Sequence, residues 1–87
     1  MSKKAKVLTK ILSGSGDKNV DFDDVVMLLK DLGFNCRTKG SHNIFYKNDI
    51  DEIINLQPLG DDKAKAYQVK QVRNIILKYK LGGETDA

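Results

Sequence analysis

A two-residue turn between two short alternating segments constrains the fold of this chain more than any other sequence feature. Residues 34–39 and 42–47 flank Gly40-Ser41, and glycine at the first position of a two-residue loop is typical of a type II′ hairpin turn. A turn of this length fixes the strand register, because a slip of one residue would exchange the two faces. The predicted register makes three pairs on one face: Lys39–His42, Arg37–Ile44 and Asn35–Tyr46.

Alternation along the two strands assigns each hairpin side chain to one of two faces. One face is predicted to lie buried under helices through Phe34, Cys36 and Phe45. Since the chain has a single cysteine, no internal disulfide can form, and we expect Cys36 to be a buried structural thiol in a reducing compartment. The opposite face is predicted to present four side chains together: Arg37, Lys39, His42 and Tyr46.

Apolar spacing predicts three helices and a third strand. The second helix is the best marked, because Asp21 suits an N-cap and Gly33 suits the left-handed residue that follows a helix. The other predicted elements are a helix over residues 4–13, a strand over 52–57, a loop over 59–66, a helix over 69–80 and a frayed tail over 82–87.

The element order of helix, helix, three strands and helix predicts an α+β fold in one domain of 87 residues. Short links between the strands make the sheet antiparallel, and helices on one face leave the other face open. Without its first helix, the order is α-β-β-β-α, as in the double-stranded-RNA-binding domain. We therefore expect a fold of that kind with an additional N-terminal helix.

Charge and composition narrow the possible functions only slightly. The formal net charge is +3, and residues 34–80 hold nine basic and five acidic residues, a net +4. Solvated surface charge explains such a balance as well as nucleic-acid binding does. No apolar run approaches the ~20 residues needed to span a bilayer, and the lysine-bearing N-terminus is not a signal peptide. One histidine and one cysteine do not make a zinc site, so we expect no metal or cofactor.

His42 is the only histidine, and histidine is the side chain whose unperturbed pKa lies near neutral pH. RNA cleavage without a metal needs a base for the 2′-hydroxyl proton, a cation for the phosphorane charge and an acid for the leaving oxygen. Arg37, Lys39 and Tyr46 lie with His42 on one predicted face and supply suitable groups. A histidine without a function beside a surface turn explains the sequence equally well.

The last helix and the third strand offer weaker signals. Backbone N–H groups at the start of a helix can receive a phosphate, although a solvated helix start is equally consistent. The residues concerned are Tyr67, Gln68, Lys70 and Arg73. In the third strand, Asn55 and Gln57 alternate with apolar residues, as in an ordinary half-buried strand.

Several segments together carry a resemblance to a known family. They are Leu32-Gly33-Phe34, Arg37, Gly40-Ser41-His42-Asn43-Ile44-Phe45, Ile54-Asn55-Leu56-Gln57 and Tyr67-Gln68-Val69-Lys70-Gln71-Val72-Arg73. Over most of residues 22–81 the chain resembles the HicA family of toxin–antitoxin ribonucleases. Many members have a second histidine after the first, where this chain has Asn43, and the predicted register turns Asn43 away from His42.

The resemblance implies a fold similar to the double-stranded-RNA-binding domain and a specific activity. It implies a cytoplasmic, metal-independent endoribonuclease toxin (an mRNA interferase) that cleaves mRNA, arrests translation and is neutralised by a HicB-type antitoxin. The catalytic residue would be His42, and we expect it to act as a general acid or a general base. It implies a domain over residues 21–81, preceded by a helical extension and loop over 1–20 and followed by a flexible tail. Contacts to RNA are expected from Arg37, Lys39, Gly40, Ser41, Tyr46, Lys70 and Arg73.

Two alternatives to an enzyme stay open at this point. A non-catalytic RNA-binding module would use the same basic sheet face, and its affinity would fall steeply with salt. A protein-interaction domain would use the open face as a docking surface.

Overall fold

Helices and a three-stranded antiparallel sheet make up the described part of the chain, residues 3–40, 42–57 and 62–81 of a computed structural model. The elements in chain order are α1 (Lys3–Ser13), a short 3₁₀ helix (Asp17–Asn19), α2 (Phe22–Asp31), β1 (Asn35–Lys39), β2 (His42–Lys47), β3 (Ile50–Leu56) and α3 (Ala66–Tyr79). This order confirms the predicted α+β fold with an α-β-β-β-α order after the first helix.

The sheet has the strand order β1-β2-β3, and the β1–β2 register is the predicted one, with Lys39 opposite His42. Gly40 has a φ of +61°, the positive value that a primed hairpin turn needs at its first central residue. Strand β3 begins two residues before the predicted start. Ile50 pairs with Lys47 after a register shift between Phe45 and Lys47, and its side chain is buried.

The predicted end of α2 at Gly33 is confirmed in detail. Gly33 has a φ of +98°, its N–H donates to the carbonyl of Lys30, and the N–H of Phe34 donates to the carbonyl of Leu29. These two bonds form a Schellman motif, which directs the Phe34 side chain into the core. At the other end, Asp21 occupies the N-cap position without a side-chain cap bond. Its carboxylate instead binds the Lys63 ammonium at 2.6 Å.

One core lies between the helices and the sheet. Helix α1 buries its predicted apolar stripe there through Val7, Leu8 and Ile11, so the N-terminal helix packs into the same core as the rest of the chain. Helix α3 begins three residues before its predicted start, since the N–H groups of Gln68 and Val69 donate to the carbonyl of Lys65.

The predicted burial of Cys36 is wrong. Its cross-strand partner Phe45 has no exposed surface, whereas Cys36 and every other residue of β1 are exposed. Strand β1 lies at the edge of the sheet, while α3 packs on β3 and α1 packs on α2 and α3. Alternation therefore predicted the correct face for Cys36, but the helices do not cover that face at β1.

Some predictions fall on residues that the structure does not describe. They concern Ser41 in the hairpin turn, the start of the loop over 59–66, and the tail over 82–87. None of the helices in the described ranges is long and apolar enough to cross a bilayer.

Candidate active site

The sheet surface opposite the helices, which we call the open face, carries the predicted site. Along β2, the buried Phe45 points to the helices, so its neighbours on the strand point away from them. On β3, Ile54 and Leu56 are buried in the same way. Register and alternation place the following side chains on the open face: Arg37, Lys39, His42, Ile44, Tyr46, Ile53, Asn55 and Gln57.

His42 makes a side-chain hydrogen bond with Asn55 across the β2–β3 boundary. Its Nδ1 lies 3.2 Å from Oδ1 of Asn55. An amide oxygen only accepts hydrogen bonds, so Nδ1 is the donor and carries the ring proton in this pair. In a neutral imidazole of this tautomer, Nε2 keeps its lone pair, and because His42 is exposed this nitrogen is a possible base. The arrangement has the geometry of a general base oriented by a second side chain.

Gln68 holds the backbone of β3 next to this pair. Its side chain is almost fully buried, with 2% of its surface exposed. The amide nitrogen donates to the Asn55 carbonyl at 3.3 Å, and the amide oxygen accepts from the Gln57 N–H at 3.5 Å. The Gln68 amide thus takes the place that a peptide group of a further strand would occupy, and it positions Asn55 for His42.

A pocket of about 230 Å³ opens beside His42, where β3 meets the first turns of α3. Its lining residues are His42, Ile53, Asn55, Gln57, Tyr67, Gln68 and Gln71. Alternation along β3 predicted an ordinary half-buried strand at Asn55 and Gln57, and no pattern assigned a binding role to Ile53 or Gln71. Predicting the β2–β3 register would have placed Asn55 near His42, because Asn55 pairs with Ile44, which is two residues from His42 on the same face of β2.

The predicted RNA-contacting cations of the hairpin do not all lie at His42. Lys39 is the direct cross-strand neighbour of His42, and such neighbours have Cβ atoms ~4.5–5.5 Å apart. Arg37 instead lies over the Tyr46 ring, at 5.9 Å from its centroid. Tyr46 is four residues along β2 from His42, roughly 13 Å at ~3.3 Å per residue. Arg37 and Tyr46 therefore form a second polar group on the open face.

The two predicted cations of α3 lie elsewhere. The Arg73 guanidinium binds the Asp17 carboxylate at 2.9 and 3.1 Å and the Ile11 carbonyl at 3.2 Å. Its side chain is 16% exposed, so Arg73 ties α1 and the 3₁₀ helix to α3, and we leave it out of the site. Lys70 is exposed on α3 and does not line the pocket.

Among the described residues, the ion pair between α3 and the sheet joins Lys78 to Glu52 and lies on the covered side. Hydrogen bonds from Lys78 and Tyr79 hold the pKa of Glu52 below its ordinary value, and the Glu52 carboxylate in turn raises the pKa of both partners. Glu52 is on β3, three residues before Asn55 and on the opposite face. Within residues 3–40, 42–57 and 62–81, no three His, Cys, Asp or Glu side chains are grouped to hold a metal ion.

Comparisons with protein-family models, with curated proteins and with solved structures found no match to this chain.

Proposed function

We propose that the protein is an endoribonuclease toxin that cleaves mRNA with His42 as its catalytic residue, as the HicA resemblance implies, and that His42 acts as the general base. The observation that supports this best is the bond between His42 Nδ1 and Asn55 Oδ1 at 3.2 Å on an exposed face. A histidine without a function needs no such partner. A general base does need one, because its tautomer and ring orientation decide which nitrogen meets the substrate.

The reaction we propose is an internal transesterification of RNA. Nε2 of His42 takes the proton of a 2′-hydroxyl, and O2′ attacks the adjacent phosphorus as the bond to O5′ breaks. The leaving O5′ takes a proton from water, and His42 returns its own proton to the solvent. The products are a 2′,3′-cyclic phosphate and a 5′-hydroxyl. In this scheme His42 takes the 2′-hydroxyl proton, and water supplies the proton for the leaving group.

Lys39 supplies charge for the developing phosphorane. Its position opposite His42 puts an ammonium group within side-chain reach of a phosphate whose ribose contacts the imidazole. A preorganised cation of this kind stabilises charge that develops in the transition state. Gly40 closes the turn between the two residues and brings the backbone close to the same phosphate.

The biological setting follows from the same proposal. An mRNA-cleaving toxin acts in the cytoplasm and must be held inactive there by a partner. The resemblance implies a HicB-type antitoxin that covers the active site, and the open face around His42 is the surface such a protein would cover.

Cleavage of a long single-stranded RNA in excess chelator tests the enzyme proposal. We expect the His42→Ala protein to lose about 10²- to 10⁴-fold in rate, the usual contribution of general acid–base catalysis, and Asn55→Ala to lose part of the rate. Asn43→Ala is a matched control, because Asn43 is the next residue on β2 and faces the helices. A wild-type protein that cuts no RNA, or a His42→Ala protein that cuts equally well, would refute the proposal. Growth arrest on induction, compared between the same variants, tests whether the protein acts as a toxin.

One observation supports the alternative of a non-catalytic RNA-binding function. Arg37 and Tyr46 form an exposed cation–aromatic pair away from His42, and such pairs suit stacking on bases and contact with phosphates. This alternative predicts RNA binding that weakens steeply with salt, depends on Arg37 and leaves the RNA intact.

A further inference from the structure

The pocket beside His42 joins an exposed aromatic ring to a side-chain amide on one flank of α3. Tyr67 and Gln71 are four residues apart, so they lie on the same side of the helix, and both line the pocket. Tyr67 is 66% exposed, and no hydrogen bond joins the Gln71 amide to another of the described residues. The apolar core residues of the same helix are different ones, namely Val69, Val72, Ile75 and Ile76.

We propose that this pocket binds one unpaired nucleobase of the RNA substrate. Tyr67 would stack on the base, and the Gln71 amide would bond to its edge. The inference rests on the proposed ribonuclease function, because it names the part of the substrate that the site holds during cleavage. It makes single-stranded RNA the substrate class, with the base in the pocket as the recognised element.

The chemistry of the lining fits a base better than another small group. An aromatic ring stacks on any nucleobase, and a side-chain amide offers one donor group beside one acceptor, as the hydrogen-bonding edges of bases do. The Lys65 ammonium lies 6.0 Å from the Tyr67 ring centroid and adds positive charge for the neighbouring phosphate. Ile53, which is 59% exposed, also lines the pocket and adds apolar surface.

The size and place of the pocket also limit its occupant. A volume of about 230 Å³ is below the ~300 Å³ at which typical small-molecule pockets begin, so one ring system fits better than an extended ligand. Bases in a duplex are stacked and paired, and only an unpaired base can be turned into a recess. Because His42 lines the same pocket, a base bound there places its own sugar and phosphate beside the imidazole. The pocket would thereby decide which phosphodiester bond is cut.

Binding of short 2′-fluoro RNA to the whole chain tests the proposal separately from cleavage, because this RNA lacks the attacking hydroxyl. We expect Tyr67→Ala to weaken binding about 5- to 150-fold, which corresponds to the ~1–3 kcal/mol of one stacked base. Tyr67→Phe keeps the ring and should bind within about twofold of wild type. In a series of oligonucleotides that differ in one base, Gln71→Ala should reduce the ratio between the best and the worst base. Leu77→Ala is the control, since Leu77 is an apolar residue of α3 that is 59% exposed and lies outside the pocket.

The outcomes separate this inference from the proposed function. If Tyr67→Ala and Gln71→Ala bind the series like wild type while His42→Ala abolishes cleavage, the base pocket is refuted and the ribonuclease stands. If binding depends on Tyr67 but wild type never cuts RNA, the ribonuclease is refuted and the pocket stands as an RNA-binding site. An equal loss in Leu77→Ala, or equal affinity for duplex RNA, would also overturn the base pocket.

Discussion

On the covered face of the sheet, Phe45 and Ile54 have no exposed surface, whereas their neighbours Tyr46 and Ile53 on the open face are 37% and 59% exposed. Consecutive residues of one strand thus meet two different environments. The covered face is apolar because burial there drives folding. Side chains on the open face contribute little to the free energy gained by burial, so this face can hold His42, Asn55 and Lys39 in positions that serve chemistry.

The largest effect is expected from truncation on the covered face. Phe45→Ala should lower the free energy of unfolding by about 3–5 kcal/mol, since it leaves a cavity in the core. Tyr46→Ala, one residue on, should cost less than ~1 kcal/mol, because it removes mainly an exposed ring and its contact with Arg37. Urea denaturation of both variants measures the difference. Similar losses at the two positions would mean that the open face is also covered.

The hairpin shows how much of this comparison the sequence could predict. Gly40 fixed the turn, the turn fixed the register, and the register placed Lys39 beside His42 as the structure has it. The partner of His42 could not be found in this way, because the β2–β3 pairing shifts between Phe45 and Lys47 and no residue in that stretch marks the shift. The ion pair between Arg73 and Asp17 could not be predicted from local patterns either, because Asp17 lies 56 positions earlier in the chain.

The second largest effect on stability is expected from the hydrogen bonds that Gln68 makes with the backbone of β3. Gln68→Met keeps the approximate volume but leaves the Asn55 carbonyl and the Gln57 N–H without the Gln68 amide. Partly buried groups that lose a hydrogen-bond partner cost up to ~1–3 kcal/mol. Gln71→Met is the matched control on the same helix for the urea midpoint alone, because Gln71 lines the pocket beside His42. We expect Gln68→Met to lower the urea midpoint and also the cleavage rate under folding conditions, because Asn55 loses its support. A midpoint equal to that of Gln71→Met would show that the Gln68 bonds do not stabilise β3.

The third effect is pH-dependent and lies on the covered side of β3. The folded state holds the pKa of Glu52 below its ordinary value of 4.5, because Lys78 and Tyr79 bond to its charged form. The contribution of ionised Glu52 to the free energy of unfolding is therefore fully present above pH 4.5. It is lost as the pH falls through the lowered pKa of Glu52. Glu52→Gln should reduce the urea midpoint at neutral pH, and the difference from wild type should vanish in strong acid. Asp51→Asn, the preceding residue on the opposite face, is the control. A difference that stays constant with pH would rule out the charged pairing as its cause.

The smallest effect is expected at Cys36, although it faces the same side as Phe45 and pairs with it across the strands. Because β1 is an exposed edge strand, Cys36→Ala should change the free energy of unfolding by less than ~0.5 kcal/mol. The thiol of the native wild-type protein should react with a chromogenic aromatic disulfide without denaturant. A thiol that reacts only after unfolding would place the helices over β1 as well. The contrast between Cys36 and Phe45 thus tests where the helical layer ends, which alternation along the strands leaves undetermined.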